Sequence, residues 1–301
     1  MRTILLALHG GAAADGAVHV ARALRARTGA SIEAVAVFEP VPVIDYGYGP
    51  LSIPDPAVED ELETQLHTDV ERQLTRCDLG GVKLSVLRGP RVATILNLAA
   101  AREADLLVVG IGAHHLTDRA LGGETALRLA QQASTPVLAV PAGMRELPHR
   151  ILVAVDFSPA SLAAARMAAS LLTAGDTLEL AHVGAAAQVG AVVLGPAHFS
   201  EAARRMDEFA AELEVPAGVR VITNVFGGEP TRTLLDLAHE TRCDVVALGS
   251  HGYSLWQRVL LGSVSTKVLR LAQCAVLIYP ARCVQRANTQ DAGMAAGAAS
   301  A

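Results

Sequence analysis

The chain has 301 residues, 51% of them hydrophobic, 18% charged and only 3% aromatic, with a formal net charge of −5. At about 100–200 residues per domain the length points to two domains, and the composition excludes an intrinsically disordered chain. The mild acidity gives no basis for nucleic acid or an anionic membrane as the main partner.

The amino terminus carries a charge and then the apolar run Thr3–Leu8, which ends at His9-Gly10-Gly11. That run is too short for the apolar region of a secretory signal. No window reaches the ~18 apolar residues of a membrane-spanning helix, so a soluble cytoplasmic protein is expected. The four cysteines, Cys77, Cys243, Cys274 and Cys283, form no CxxC pair and lie far apart in sequence. They read as reduced thiols rather than a disulfide framework or zinc site.

Self-similarity is the strongest signal, because repeats decide the architecture. Ile4-Leu5-Leu6-Ala7-Leu8-His9 resembles Ile151-Leu152-Val153-Ala154-Val155-Asp156, and residues 105–110 resemble 244–249. Residues 136–141 resemble 275–280. The repeat distance is 139 residues for the last two blocks and 147 for the first, so the first half carries about eight extra residues. The stretch with Pro40, Pro42, Pro50, Pro54 and Pro56 is where a loop insertion is expected.

In the second half, 150–155, 177–183, 219–226, 244–248 and 275–279 are predicted strands. The intervening 158–173, 197–213, 230–241 and 263–272 are predicted helices. Apolar strands alternating with helices imply an α/β fold: two tandem doubly wound, mostly parallel sheets of five strands each. The expected domains are 1–145 and 149–281, with a disordered tail over 282–301.

Ligands of open α/β sheets bind at the carboxyl ends of the strands. In the second half the strand ending at Leu248 runs into Gly249-Ser250-His251-Gly252, and nine residues later Gly262-Ser263-Val264-Ser265 opens a helix. Glycines let backbone amides approach phosphate oxygens, a helix N-terminus favours anions, and Ser263 and Ser265 add hydroxyls. No G-x4-G-K-[ST] occurs, so this is not a Walker A loop.

With Asp156 closing the first strand, this G-x2-G-x9-G-S pattern resembles the universal stress protein family. The whole of 1–281 resembles its tandem form. The resemblance implies the Rossmann-like fold of the adenine nucleotide alpha hydrolase type and binding of ATP, with or without Mg2+. It places Asp156 and Ala154 at the adenosine moiety and Val183 at the adenine. Leu248 and Gly249 would lie at base and ribose, and Gly252, Gly262, Ser263 and Val264 at the phosphates. Tyr253 stands where the family often has Arg or Lys, which leaves Arg258 as the candidate phosphate-facing cation.

The first half departs at the matched positions: His9 for Asp156, Ala113 for Gly252, Glu124 for Ser263. A carboxylate at a helix N-terminus satisfies the amides that would hold a phosphate and repels the anion, so this half is expected not to bind ATP.

Each feature has a plainer reading. The glycines are also ordinary turn residues, Asp156 also suits a helix N-cap for which Ser158 competes, and His251 suits a loop-orienting bond better than a catalytic base. His114-His115 lacks a supporting ligand cluster, Arg258 equally suits a solvated face, and Trp256 suits packing. The leading expectation is a nucleotide-binding regulator that acts through conformational or partner changes. The alternatives are a slow ATPase or phosphotransferase, for which only His251 and Arg258 qualify, and a ligand-free interaction scaffold. The last strands, Val137 to Val140 and Val276 to Tyr279, are expected to join the halves as an intrachain pseudo-dimer, with a homodimer of whole chains beyond it.

Overall fold

A computed structural model describes residues 1–40, 55–112, 122–185, 196–250 and 261–284. Pro42, Pro50 and Pro54, Ala113, His114 and His115, and residues 285–301 of the expected tail lie outside the described residues. So do His251, Gly252, Tyr253, Trp256 and Arg258.

The chain folds as two tandem α/β repeats, β1–β5 and β6–β10. In the first compact unit, residues 1–126 and 140–146, the strands β1 (Thr3–Leu8), β2 (Ser31–Phe38), β3 (Lys83–Arg88) and β4 (Leu106–Ile111) lie in the order β3-β2-β1-β4. All three pairings are parallel. In the second unit, residues 127–139 and 147–301, β6 (Arg150–Ala154), β7 (Thr177–Ala185), β8 (Arg220–Gly228), β9 (Val245–Gly249) and β10 (Ala275–Tyr279) form the parallel order β10-β9-β6-β7-β8. Residues 137–139 of β5 (Val137–Pro141) join this second unit, antiparallel to β10, with Leu138 opposite Leu277. The packing boundary therefore differs from the repeat boundary: 127–139 belong to the first repeat by sequence and to the second unit by contact.

The strand interiors are apolar without alternation because both faces are covered. Ile4, Leu5 and Leu6 in β1, Ile151, Leu152 and Val153 in β6, and Val245, Val246 and Ala247 in β9 are fully buried. Edge strands β3 and β8 are mostly half-exposed or exposed. Matched aspartates fasten the central strands of both units. Asp105 accepts from the Arg2 and Thr3 amides, and Asp244 accepts from those of His149 and Arg150 at 2.8 and 2.9 Å.

Matched buried acids also occupy β2 and β7. Glu33 is held by Lys83, Ser85 and Arg102 at 3.1, 3.0 and 2.7 Å, and Glu179 by Arg150 and Asn224 at 3.4 and 3.0 Å. Desolvation pushes the Glu33 pKa up, but the bonds from Arg102, Lys83 and Ser85 outweigh it and bring the carboxyl to about 2.

Two expectations change. The proline-rich insertion is not all loop: Pro56 is the first residue of α2 (Pro56–Arg76), capped by Asp55. Proline there loses no helical bond and its fixed φ suits the first turn. This helix runs 21 residues against 16 in its counterpart α6 (Pro196–Ala211). At the other end, residues 281–284 form a helical turn, so 282–284 do not belong to a disordered tail. Within the second unit the Cys283 thiol donates to the Ser134 carbonyl at 2.8 Å and anchors that turn.

Candidate functional site

The strand order of the second unit reverses between β6 and β9: β7 and β8 extend the sheet on one side, β9 and β10 on the other. A crevice forms outside the carboxyl ends of strands at such a switch point. Ala154 ends β6 and Val183 lies near the end of the adjacent β7, both partly exposed. Leu248 and Gly249 end β9. Three neighbouring strands therefore bring Ala154, Asp156, Val183 and Gly249 to one edge of the sheet. The Leu248 side chain is 2% exposed and belongs to the core, so only its backbone borders the crevice.

The turn after β6 has a defined geometry. Asp156 is exposed, and its Oδ1 accepts from the Ser158 amide at 2.9 Å. Ser158 caps α5 (Pro159–Ser170), accepting from the Ser161 amide at 3.1 Å. The competition for the cap is thus resolved: Ser158 takes it, and Asp156 shapes the turn before it. Between them Phe157 is left-handed, φ 61°, a conformation that costs a bulky residue about 1–2 kcal/mol. Three contacts hold it there. The Arg205 guanidinium lies 4.1 Å over its ring, the His182 ring stands 4.6 Å away, and Phe209 packs edge-on at 6.2 Å. A cleft of about 270 Å³ opens beside this turn, lined by Phe157, Pro159, Leu162, Arg205 and Phe209 among others. Its described lining comes from α5, α6 and the residues flanking them.

Across the crevice, Ser250 is the keystone. Its amide donates to the Tyr279 carbonyl at 2.9 Å, its carbonyl accepts from the Gly262 amide at 2.7 Å, and its hydroxyl accepts from the Ala281 amide at 2.8 Å. The two ends of the glycine loop are thereby clamped together on β10. Ser265 is buried and its hydroxyl donates to the Gly249 carbonyl at 2.9 Å, which ties the helix to the strand end. Gly262 is the N-cap of α8 (Ser263–Leu271) and supplies no side-chain cap. The helices α5 and α7 (Pro230–Glu240) are capped by Ser158 and Glu229. Ser263 is exposed and Val264 partly so. The first turn of α8 is thus fixed beside the strand ends, and among the described residues no capping side chain claims its amides, an arrangement that suits an anion.

Gly249 has a structural duty as well. A Cβ there would meet Ala160 C and Ser161 N at 2.9 Å, so the strand end and α5 approach backbone to backbone. Gly110 does the same in the first unit, where a Cβ would meet Ala14 Cα at 2.5 Å.

The first unit repeats the turn with different chemistry. His9 Nδ1 accepts from the Gly11 amide at 3.2 Å, the same bond to the residue two ahead that Asp156 makes. Gly10 takes the left-handed position of Phe157, φ 79°. Desolvation lowers the His9 pKa and nearby Arg91 lowers it further, against a backbone hydrogen bond that raises it. The matched position therefore presents a neutral imidazole in place of a carboxylate. Gln73 on α2 closes over this turn, its Nε2 donating to the Gly11 carbonyl and to Asp15 Oδ1, each at 2.8 Å. Glu124 lies in the first turn of α4 (Gly122–Gln132). Ser250, Phe157 and Gln73 were not singled out from sequence. Their roles depend on partners far away in the chain, and only the matched positions of Gly10 and Phe157 hinted at any of them.

Among the described residues, no helix is long and apolar enough to cross a membrane. The sequence profile of the universal stress protein family matches twice, at residues 1–141 and 148–280. Universal stress protein YxiE of Bacillus subtilis is 33% identical over 144 residues, covering 43% of this chain and 97% of its own. A universal stress protein of Mycolicibacterium smegmatis is 28% identical over 295 residues, 93% of this chain and 97% of its own. The crystal structure of a universal stress protein from Archaeoglobus fulgidus superposes with a TM-score of 0.66 at 18% identity, covering 92% of this chain and 98% of that one. With both repeats matched in sequence and the fold matched over nearly the whole length, the chain belongs to the universal stress protein family.

Proposed function

We propose that the second unit binds an adenine nucleotide, ATP, and that the chain is a regulator acting through the conformational or partner changes this binding favours. The observation that carries the reading is the meeting, at the β6/β9 switch point, of an exposed carboxylate and a fixed helix N-terminus with no side-chain cap. Asp156 holds the adenosine hydroxyls with its exposed carboxylate. Ala154 and Val183 flank the base, and the Leu248–Gly249 backbone borders it. The Ser263 and Val264 amides and the Ser263 hydroxyl receive phosphate oxygens, while Gly262 and Ser265 hold the helix in place. Gly252 and Arg258 complete the phosphate shell, and Mg2+, when bound, neutralises part of the phosphate charge.

ATP can shift a conformational equilibrium only by its difference in affinity for the two states. The first unit, with His9 and Glu124 at the matched positions, serves structure or a partner. The pairing of 137–139 with β10 supports an internal pseudo-dimer through the last strands, and light scattering of the intact chain tests for a homodimer beyond it.

The test is calorimetric titration of ATP into the intact chain and into Ser263→Glu, which installs the carboxylate of the first unit. A glutamate in the first turn suits the helix dipole, so the fold is kept. The expected loss is at least tenfold in affinity, ~1.4 kcal/mol. Unchanged affinity would remove the α8 N-terminus from the site.

A further inference from the structure

Two cysteines that are distant in sequence meet in space. Cys243 stands two residues before β9 and Cys274 one residue before β10. Those strands are parallel neighbours with Ala275 opposite Val245. Both thiols therefore arrive at the amino ends of adjacent strands, the end opposite the nucleotide crevice, and their sulfurs are 3.9 Å apart. A disulfide bond is about 2.05 Å long, so closure needs an approach of only ~2 Å. Cys243 is buried and Cys274 partly exposed, so Cys274 is the more accessible residue of the two. Among the described residues no group of three His, Cys, Asp or Glu is placed to hold a metal, which leaves the pair without the further ligands a zinc site needs.

We propose that Cys243 and Cys274 are a redox site that peroxides convert to a reversible disulfide, with Cys274 as the attacking sulfur and Cys243 as the resolving one. Hydrogen bonding from Cys243 lowers the Cys274 pKa, whereas the same bond and burial raise that of Cys243. The Cys274 thiolate attacks one peroxide oxygen. The S–O bond forms, the O–O bond breaks, and the sulfur is oxidised to a sulfenic acid while the other oxygen leaves as an alcohol or water after taking a proton. Cys243 then gives up its proton and attacks the Cys274 sulfur. The S–S bond forms, the S–O bond breaks, and the departing hydroxide takes that proton to leave as water. Two thiols and one peroxide thus become one disulfide, one alcohol or water, and one further water. The cross-link joins residues 31 positions apart, and the segment between them contains β9 and α8 and so brackets the glycine loop.

The test treats the reduced intact chain with hydrogen peroxide, denatures it in an alkylating reagent and maps the peptides by mass spectrometry. The expected product has lost two hydrogen masses, carries a Cys243–Cys274 link, alkylates only at Cys77 and Cys283, and reverts with dithiothreitol. Its Tm rises by about 5 °C or more, because a loop of this length is constrained in the unfolded chain. Cys243→Ala should leave Cys274 trapped as a sulfenic acid that dimedone labels, and Cys274→Ala should leave Cys243 unmodified. Four alkylated thiols after peroxide, or a link between any other pair, would overturn the assignment.

Discussion

Gly249→Ala would place a Cβ 2.9 Å from the backbone of Ala160 and Ser161. Ordinary carbon contacts are about 3.5–4.0 Å, so the first turn of α5 must retreat by roughly 0.6 Å or more. No flexible side chain is there to yield. Overpacking of this kind costs about 1–3 kcal/mol. Gly110→Ala, with its nearest contact at 2.5 Å, belongs at the upper end and Gly249→Ala lower. Gly143 is exposed, with nothing within 4 Å of a built Cβ and no positive φ. Gly143→Ala is thus neutral or stabilising by about 0.4–1 kcal/mol. Urea unfolding of the three variants gives the midpoints and, through unchanged m-values, checks that the same surface is exposed. Thermal midpoints should fall by about 2–4 °C per kcal/mol. ATP affinity should fall in Gly249→Ala as well, because the displaced turn carries Ser158 and Asp156. A Gly249→Ala midpoint equal to that of wild type would refute the close-approach reasoning.

Further outcomes follow from single contacts. Ser158→Ala removes the α5 cap and should cost ~1 kcal/mol by urea unfolding. Glu33 has a folded pKa of about 2, below its unfolded value. Its contribution is therefore complete above the unfolded carboxylate range and is lost as pH falls from about 4.5 to about 2. That loss is at most about 3 kcal/mol, and Glu33→Gln should flatten this part of the acid-unfolding curve. His9 has the opposite chemistry: its folded pKa is lowered, so the unfolded chain takes up the proton first. Stability should fall as pH drops below about 6.5, and the imidazole resonances of His9 should titrate below those of a model peptide.

The inner strands of the second repeat are legible in local pattern, because they are buried on both faces and appear as unbroken apolar runs. The run at 150–155 became β6 (Arg150–Ala154), and 275–279 became β10 (Ala275–Tyr279). The helix over 263–272 followed from its glycine-serine start. What escaped were features made by distant partners. Ser265 looks like a phosphate donor in a one-dimensional motif, yet its hydroxyl is bound to Gly249. Ser250 is an unremarkable letter between two glycine-loop residues until β10 and Gly262 converge on it. Cys243 and Cys274 lie 31 residues apart, and only the parallel pairing of β9 with β10 brings them together. Phe157 in a left-handed turn runs against local propensity, and the rings and cation around it supply what propensity does not. The first repeat was harder to delimit, since 127–139 pack with the second unit although they repeat the pattern of the first.

The asymmetry between the repeats is the centre of the account, and stoichiometry tests it most directly. Calorimetric titration of the intact chain with ATP, repeated with ADP and AMP, should give one site per chain for ATP. Absence of heat with every nucleotide, or two sites per chain, would contradict it.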